Sequence, residues 1–187
     1  MKNTNNDAQR KFCINQIKNT KKIIDQFSNN MELSSTVLLN SLLSLVVLPF
    51  ESVKQKNGER VFQGKMAEIN KNLGFTPDIF MPIKSCINND ITFGKRTIYE
   101  YVNKLRNAIA HQNINITVDE NRIIHISLYN IFEGKDCKKC NAKKCKEKGL
   151  SKIGRGICDF RITVNISQLK KLAMYVANSY LNSIEGE

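Results

Sequence analysis

The sequence is poor in acids and poorer still in histidine. It carries 17 Asp and Glu against 29 Lys and Arg, which leaves a formal charge of +12 and a pI near 9.5. Nowhere do the few carboxylates cluster as the ligand set of a metal-dependent nuclease, so that class is disfavoured. Histidine occurs twice, at His111 and His125, so any imidazole chemistry must use one of them. No secretory signal is visible: "MKNTNNDAQRK" is polar, and the apolar residues after it are spaced as on a helix. The most apolar stretch, "TVLLNSLLSLVVLPF" (36–50), is short for a bilayer span and carries Asn40, Ser41 and Ser44. There is no internal repeat and no low-complexity linker. The expectation is a basic cytoplasmic protein of one domain, residues 1–187, long enough to bury a core without disulfide help. Its charge favours polyanionic partners, nucleic acid first among them.

What is present is mostly helix. After a polar tail (1–7), residues 8–28 set Phe12, Cys13, Ile17, Thr20, Ile23, Ile24 and Phe27 at helical spacing. "ELSSTVLLNSLLSLVVLP" reads as a second helix, with Ser34 or Ser35 as N-cap and Pro49 as its end. It is apolar nearly all round, which places it at the centre of the domain or in a dimer interface. A third helix is expected over 60–74, stopped by Gly74, followed by an irregular stretch containing Pro77 and Pro82. The next helix, 97–110, has Ile98, Tyr101, Val102, Leu105, Ala108 and Ile109 on its apolar face. "NINITV" and "RIIHISL" around "DEN" then alternate as a β-hairpin, and "DFRITVNI" is a third strand candidate. A last amphipathic helix occupies 167–185. The fold class is therefore mainly α: a bundle of about five helices with a small β and cysteine-rich insertion, 113–166, before the last helix.

One short element carries chemistry. In "KLRNAIAHQNI" Arg106 stands five residues before His111, with Asn107 between them offering a planar amide that can orient either neighbour. An Arg five before a His is cheap by itself. The bland alternative is a histidine favoured electrostatically at a helix C-terminus, with Arg106 paired to Glu100 or Asp119.

"RNAIAH" resembles the R-[polar]-x-x-x-H signature of HEPN domains (higher eukaryotes and prokaryotes nucleotide-binding), and "LLNSLLSLVVLPFE" is similar to the hydrophobic second helix of HEPN ribonucleases of phage defence. The resemblance covers 8–112 and 167–185 and leaves the insertion outside it. It implies a homodimer in which two copies of the motif form one cleft. Positions five apart lie about 140° from each other around a helix, so one copy cannot easily aim both side chains at one phosphate. By the resemblance, Arg106, Asn107 and His111 are the catalytic residues of a metal-independent endoribonuclease, acting as toxin or abortive-infection effector. Arg106 would hold the scissile phosphate with its guanidinium, and His111 would transfer protons. The ribose 2′-hydroxyl would be the nucleophile, and the products would be 2′,3′-cyclic phosphate and 5′-hydroxyl ends. The alternative on the same scaffold is a non-catalytic nucleic-acid-binding or regulatory protein, for which an acidic antitoxin is a candidate partner. Some toxins of the family carry a Tyr two residues after the His that a nucleotidyltransferase modifies. Asn113 stands there, which argues against that control.

The remaining signal is cysteine. Four of the six cysteines, Cys137, Cys140, Cys145 and Cys158, are spaced C-x2-C-x4-C-x12-C, which suits a structural zinc held by four thiolates; free or redox-active thiols and disulfides are the alternatives. Residues 135–161 hold ten Lys or Arg against three acids. Lys138, Lys139, Lys143 and Lys144 there, with Lys104 on the motif helix, are candidate RNA contacts; a solvated charged loop is the alternative. Tyr129, Phe132 and Phe160 could stack bases, although core packing suits each better.

Overall fold

The structure, a computed structural model, describes residues 3–27, 31–53, 58–74, 78–80, 97–119, 122–132, 152–153 and 156–185. It is mainly helical, with a small antiparallel sheet before the last helix.

Helix α1 (Asn3–Gln26) begins inside the segment expected to be a tail. Cys13, Ile17, Thr20 and Ile24, at spacings of three and four, are buried. Phe12, Ile23 and Phe27 belong to the same sequence stripe but stay 56%, 44% and 38% exposed. They lie roughly 40–100° to one side of Cys13 around the helix, beyond the edge of the contact.

The second helix corrects the reading of its ends. It starts at Met31, so Ser34 and Ser35 lie within it and do not cap it. It also passes through Pro49, as α2 (Met31–Leu42), a π-helical turn (Leu43–Val47) and α3 (Leu48–Val53). In the wide turn the Leu48 N–H donates to the Leu43 carbonyl, five residues back. That opens the ladder ahead of Pro49, whose ring in a regular helix would press on the Leu45 carbonyl at a cost of about 3 kcal/mol. The turn also absorbs an extra residue, which brings Phe50 back onto the face of Leu38 and Leu42, all three buried. Ser35–Val53 is long and apolar enough to cross a membrane by length and composition, more than the sequence stretch suggested. Here Leu38, Leu42, Leu45, Val46 and Phe50 belong to the core, and the rod packs against α1, the motif helix and the final helix.

The expected third helix is two helices, α4 (Gly58–Val61) and α5 (Met66–Leu73). Between them Gly64 takes φ +104°, and its carbonyl accepts the N–H of Ile98. A side chain at Gly64 would meet the Glu68 carboxylate at 2.5 Å. The Glu68 carboxylate can swing aside, so it is the positive φ that favours glycine at this break, where the chain meets the start of α6 (Ile98–Ala110). Thr97 and Glu100 start α6 with a reciprocal capping box, each side chain bonded at 3.2 Å to the other's backbone N–H. Its expected apolar face is buried throughout.

The sheet is larger than a hairpin. Strands β2 (Ile114–Asp119) and β3 (Arg122–Phe132) form the expected antiparallel pair, and β5 (Gly156–Val164) lies on the other side of β3. The short β4 (Lys152–Ile153) also pairs with β5. The segment around Pro77, expected to be irregular, supplies β1 (Asp78–Phe80), antiparallel to β5 with Asp78 opposite Thr163. The order is β1-β5-β3-β2. Ile126, Leu128, Phe160, Ile162 and Val164 are buried, so the sheet contributes to the core. Phe160 meets Tyr101 of α6 edge-on at 5.6 Å. The final helix α7 (Ile166–Glu185) follows, with Asn165 and Gln168 as its capping box.

Candidate active site

The motif closes α6: Arg106 and Asn107 are joined by a hydrogen bond near its end, and His111 caps it with no side-chain hydrogen bond to either. Leu105, Ala108 and Ile109 bury one side of that turn, leaving Arg106 and Asn107 half-buried at its margin. The Arg106 side chain is 11% exposed, with its guanidinium 5.4 Å above the Phe50 ring. One terminal nitrogen, Nη2, lies 2.5 Å from Glu51 Oε1, and the other, Nη1, donates to Asn107 Oδ1 at 2.6 Å. The buried Nε finds no acceptor among the described residues. A planar cation lying on an aromatic face and held at both ends has little rotational freedom left. Glu51, at 45% exposure, stands on the solvent side of the pair.

The alternative partners for Arg106 do not apply. Glu100 caps the start of α6, and the carboxylate against Arg106 is Glu51 on α3. Sequence reasoning missed Glu51 and Phe50 as parts of the site. The only trace was the "PFE" that closes the apolar second helix, and no local spacing ties it to Arg106.

His111 is held by backbone. It is the C-cap of α6, its N–H bonded to the Asn107 carbonyl at 3.0 Å, and its side chain is exposed. The helix closes with a Schellman motif. Gln112 takes the left-handed conformation (φ +55°), its N–H reaches the Ile109 carbonyl at 3.0 Å, and the Asn113 N–H reaches Ala108 at 2.9 Å. The Asn113 carbonyl then accepts the Tyr129 N–H at 3.1 Å, which ties the helix end to β3. His111 therefore projects from a turn fixed to both helix and sheet.

Of the other candidates, Lys104 lies half-buried on α6, two residues before Arg106. Lys138, Lys139, Lys143 and Lys144 lie outside the described residues, as do Cys137, Cys140 and Cys145. Cys158 sits in β5, paired across the ladder with Ile131. His125 is exposed on β3, opposite Thr117. Phe160 is a core residue, and Tyr129 is half-buried in the sheet. Two buried tyrosines are shifted. Burial alone raises the Tyr101 hydroxyl, which has no hydrogen-bond partner among the described residues. Burial, with the Cys13 thiol beside it, pushes Tyr180 up to about 12.

No curated protein and no solved structure gives a significant match to the chain. A family model does, described as HEPN pEK499 p136, and it matches residues 1–187. With its Arg-Asn-x-x-x-His element closing a late helix of a mainly helical fold, the chain belongs to the HEPN pEK499 p136 family.

Proposed function

We propose that the protein is a metal-independent endoribonuclease of HEPN type, working as a homodimer in the cytoplasm as a toxin or defence effector. The observation that carries this reading is the state of the motif: a guanidinium fixed by Phe50, Asn107 and Glu51, and an exposed imidazole on a rigid turn. Arg106 binds the scissile phosphate and stabilises the charge that grows on its oxygens. The 2′-oxygen attacks phosphorus as its proton passes to an imidazole, and the 5′-oxygen leaves with a proton from a second imidazole. Two copies of His111 fill these two roles, which is why the active form is a dimer. The nucleophile belongs to the RNA, so the chemistry needs no metal. Cys137, Cys140, Cys145 and Cys158 would hold a structural zinc that braces the basic insertion, and Lys138, Lys139, Lys143 and Lys144 would contact RNA there. Elemental analysis of freshly purified protein tests the zinc; less than half an equivalent per chain would remove it from the account.

Glu51 favours a second reading. A guanidinium already paired with a carboxylate suits a protein that binds or regulates and does not cut, with an acidic antitoxin as a fitting partner. Incubation of the protein with RNA in EDTA, followed by determination of the product ends, decides between the two. Cyclic phosphates support the nuclease, whereas intact, tightly bound RNA supports the second reading.

A further inference from the structure

A second polar surface lies outside the motif, on the helices that flank the bundle. Lys18, Lys21 and Lys22 of α1, three and four residues apart, share one face of that helix. Together with Asp25 they form one wall of an open cavity of about 450 Å³, with Asn178 and Asn182 of α7 on the other. Across α7 a second cavity of about 370 Å³ continues to the end of α5, lined by Lys171, Tyr175, Ser179 and Asn72. Asn178 and Asn182 line both, so the two cavities adjoin as one groove along α7, whose ridge carries Lys171, Asn178 and Asn182 on a single stripe.

Leu73, Met174 and Leu181 supply apolar wall, and the charged part of the lining is strongly basic. Four lysines stand against one carboxylate, and that carboxylate, Asp25, also lies 3.8 Å from Lys170. Lys21 Nζ donates to Asn178 Oδ1 at 2.8 Å. An ammonium can only donate, so this pairing uses Oδ1 as the acceptor and leaves Nδ2 as the donor the amide can offer to a ligand. Lys18 and Lys22 are about 6 Å apart along the helix axis, close to one nucleotide of an extended strand. Cations for phosphates, amides for base edges and riboses, and the ring of Tyr175 for stacking are what an extended single strand asks of a surface.

We propose that this α1–α7–α5 groove is a binding track for single-stranded RNA, separate from the Arg106–His111 element. Lys22 of α1 and Lys171 of α7 grip backbone phosphates, and Asn182, on the same stripe of α7 as Lys171 and about 16 Å along the axis from it, contacts a nucleotide farther along the strand. The proposal rests on reading the chain as a protein that acts on RNA, and it deepens that reading by naming an extended, unpaired strand as the substrate form.

The test is binding of a labelled, unstructured RNA, followed by anisotropy with full-length His111→Ala protein as the parent, so that no strand is cut. Removing one lysine–phosphate pairing from a single strand lowers affinity about fivefold at 0.1 M salt, since log K falls with log salt by about 0.7 per neutralised phosphate. Lys22→Gln with Lys171→Gln should therefore weaken binding roughly 25-fold and make the salt slope about 1.4 shallower. Asn182→Asp, nearly isosteric, places a carboxylate on the ridge and should also weaken binding while the melting temperature stays unchanged. Parent-like affinity in both variants overturns the track and leaves the nuclease reading standing. Competition by polyglutamate as effective as unlabelled RNA also overturns it, in favour of an acidic protein partner. A parent that binds no RNA overturns both readings.

Discussion

Glu51→Gln separates the two roles that a carboxylate beside Arg106 can play. Glu51 can hold the guanidinium in position, or it can occupy the place a phosphate will take. The substitution keeps the shape and one hydrogen-bonding oxygen and removes the charge. Stability should fall modestly. Arg106 is nearly buried but Glu51 is half exposed, so the pair lies between a surface ion pair and a buried charged hydrogen bond; the loss should be about 1 kcal/mol. For a chain of this size that is a fall of about 2–4 °C in melting temperature. RNA affinity should move the other way. An anionic phosphate docking on Arg106 approaches a carboxylate of the same sign, and screening at a half-exposed site leaves a repulsion on the order of 0.5–1 kcal/mol. Removing it should tighten binding about two- to fivefold. The assay is RNA anisotropy in the His111→Ala background beside a thermal melt. Weaker RNA binding by Glu51→Gln would refute the reasoning and leave Glu51 as the support that holds the fork.

Arg106→Lys should lose cleavage by about 100-fold or more despite keeping the charge, because an ammonium cannot reproduce the planar fork that meets Asn107 and Glu51; activity within threefold of the parent would exclude the bidentate role. Gln112→Gly should stabilise the fold by up to about 1 kcal/mol in chemical denaturation, since glycine takes the left-handed C′ position without a Cβ penalty; a loss of stability would contradict the Schellman assignment. Alkaline pH should lower the protein's stability in a defined window. The folded-state hydroxyl of Tyr180 titrates near 12 against an ordinary value near 10, so its contribution is complete below pH 10 and is lost as pH rises toward 12. Tyr180→Phe should flatten that part of the stability profile; an unchanged profile would assign the loss to other groups.

The parts of the fold legible in the sequence are those whose determinants are local. Helices α6 and α7 announce themselves by an apolar stripe, and β2 and β3 by alternation around a short turn; the capping boxes that start both helices came only with the structure. The parts that were not legible depend on distant partners. Pro49 signals a helix end, yet the π-turn before it lets the helix continue through it, held by the core on either side. The apolar period of 60–74 runs across Gly64, whose break is set by Ile98 more than thirty positions later. Strand β1 is three residues long and exists through its pairing with β5. The site divides in the same way. Arg106, Asn107 and His111 are a one-line motif, whereas Glu51 and Phe50 join them only because α3 lies beside α6.

If His111 moves protons at a phosphate held by Arg106, the ends of the cleaved RNA carry the record. The most direct measurement is of the RNA ends produced in EDTA by the parent and by His111→Ala, at equal RNA occupancy. The expected result is 2′,3′-cyclic phosphate and 5′-hydroxyl ends from the parent, and no cleavage by a folded His111→Ala protein that binds RNA as tightly. Cleavage by His111→Ala at the parental rate, or 3′-hydroxyl and 5′-phosphate ends from the parent, would contradict it.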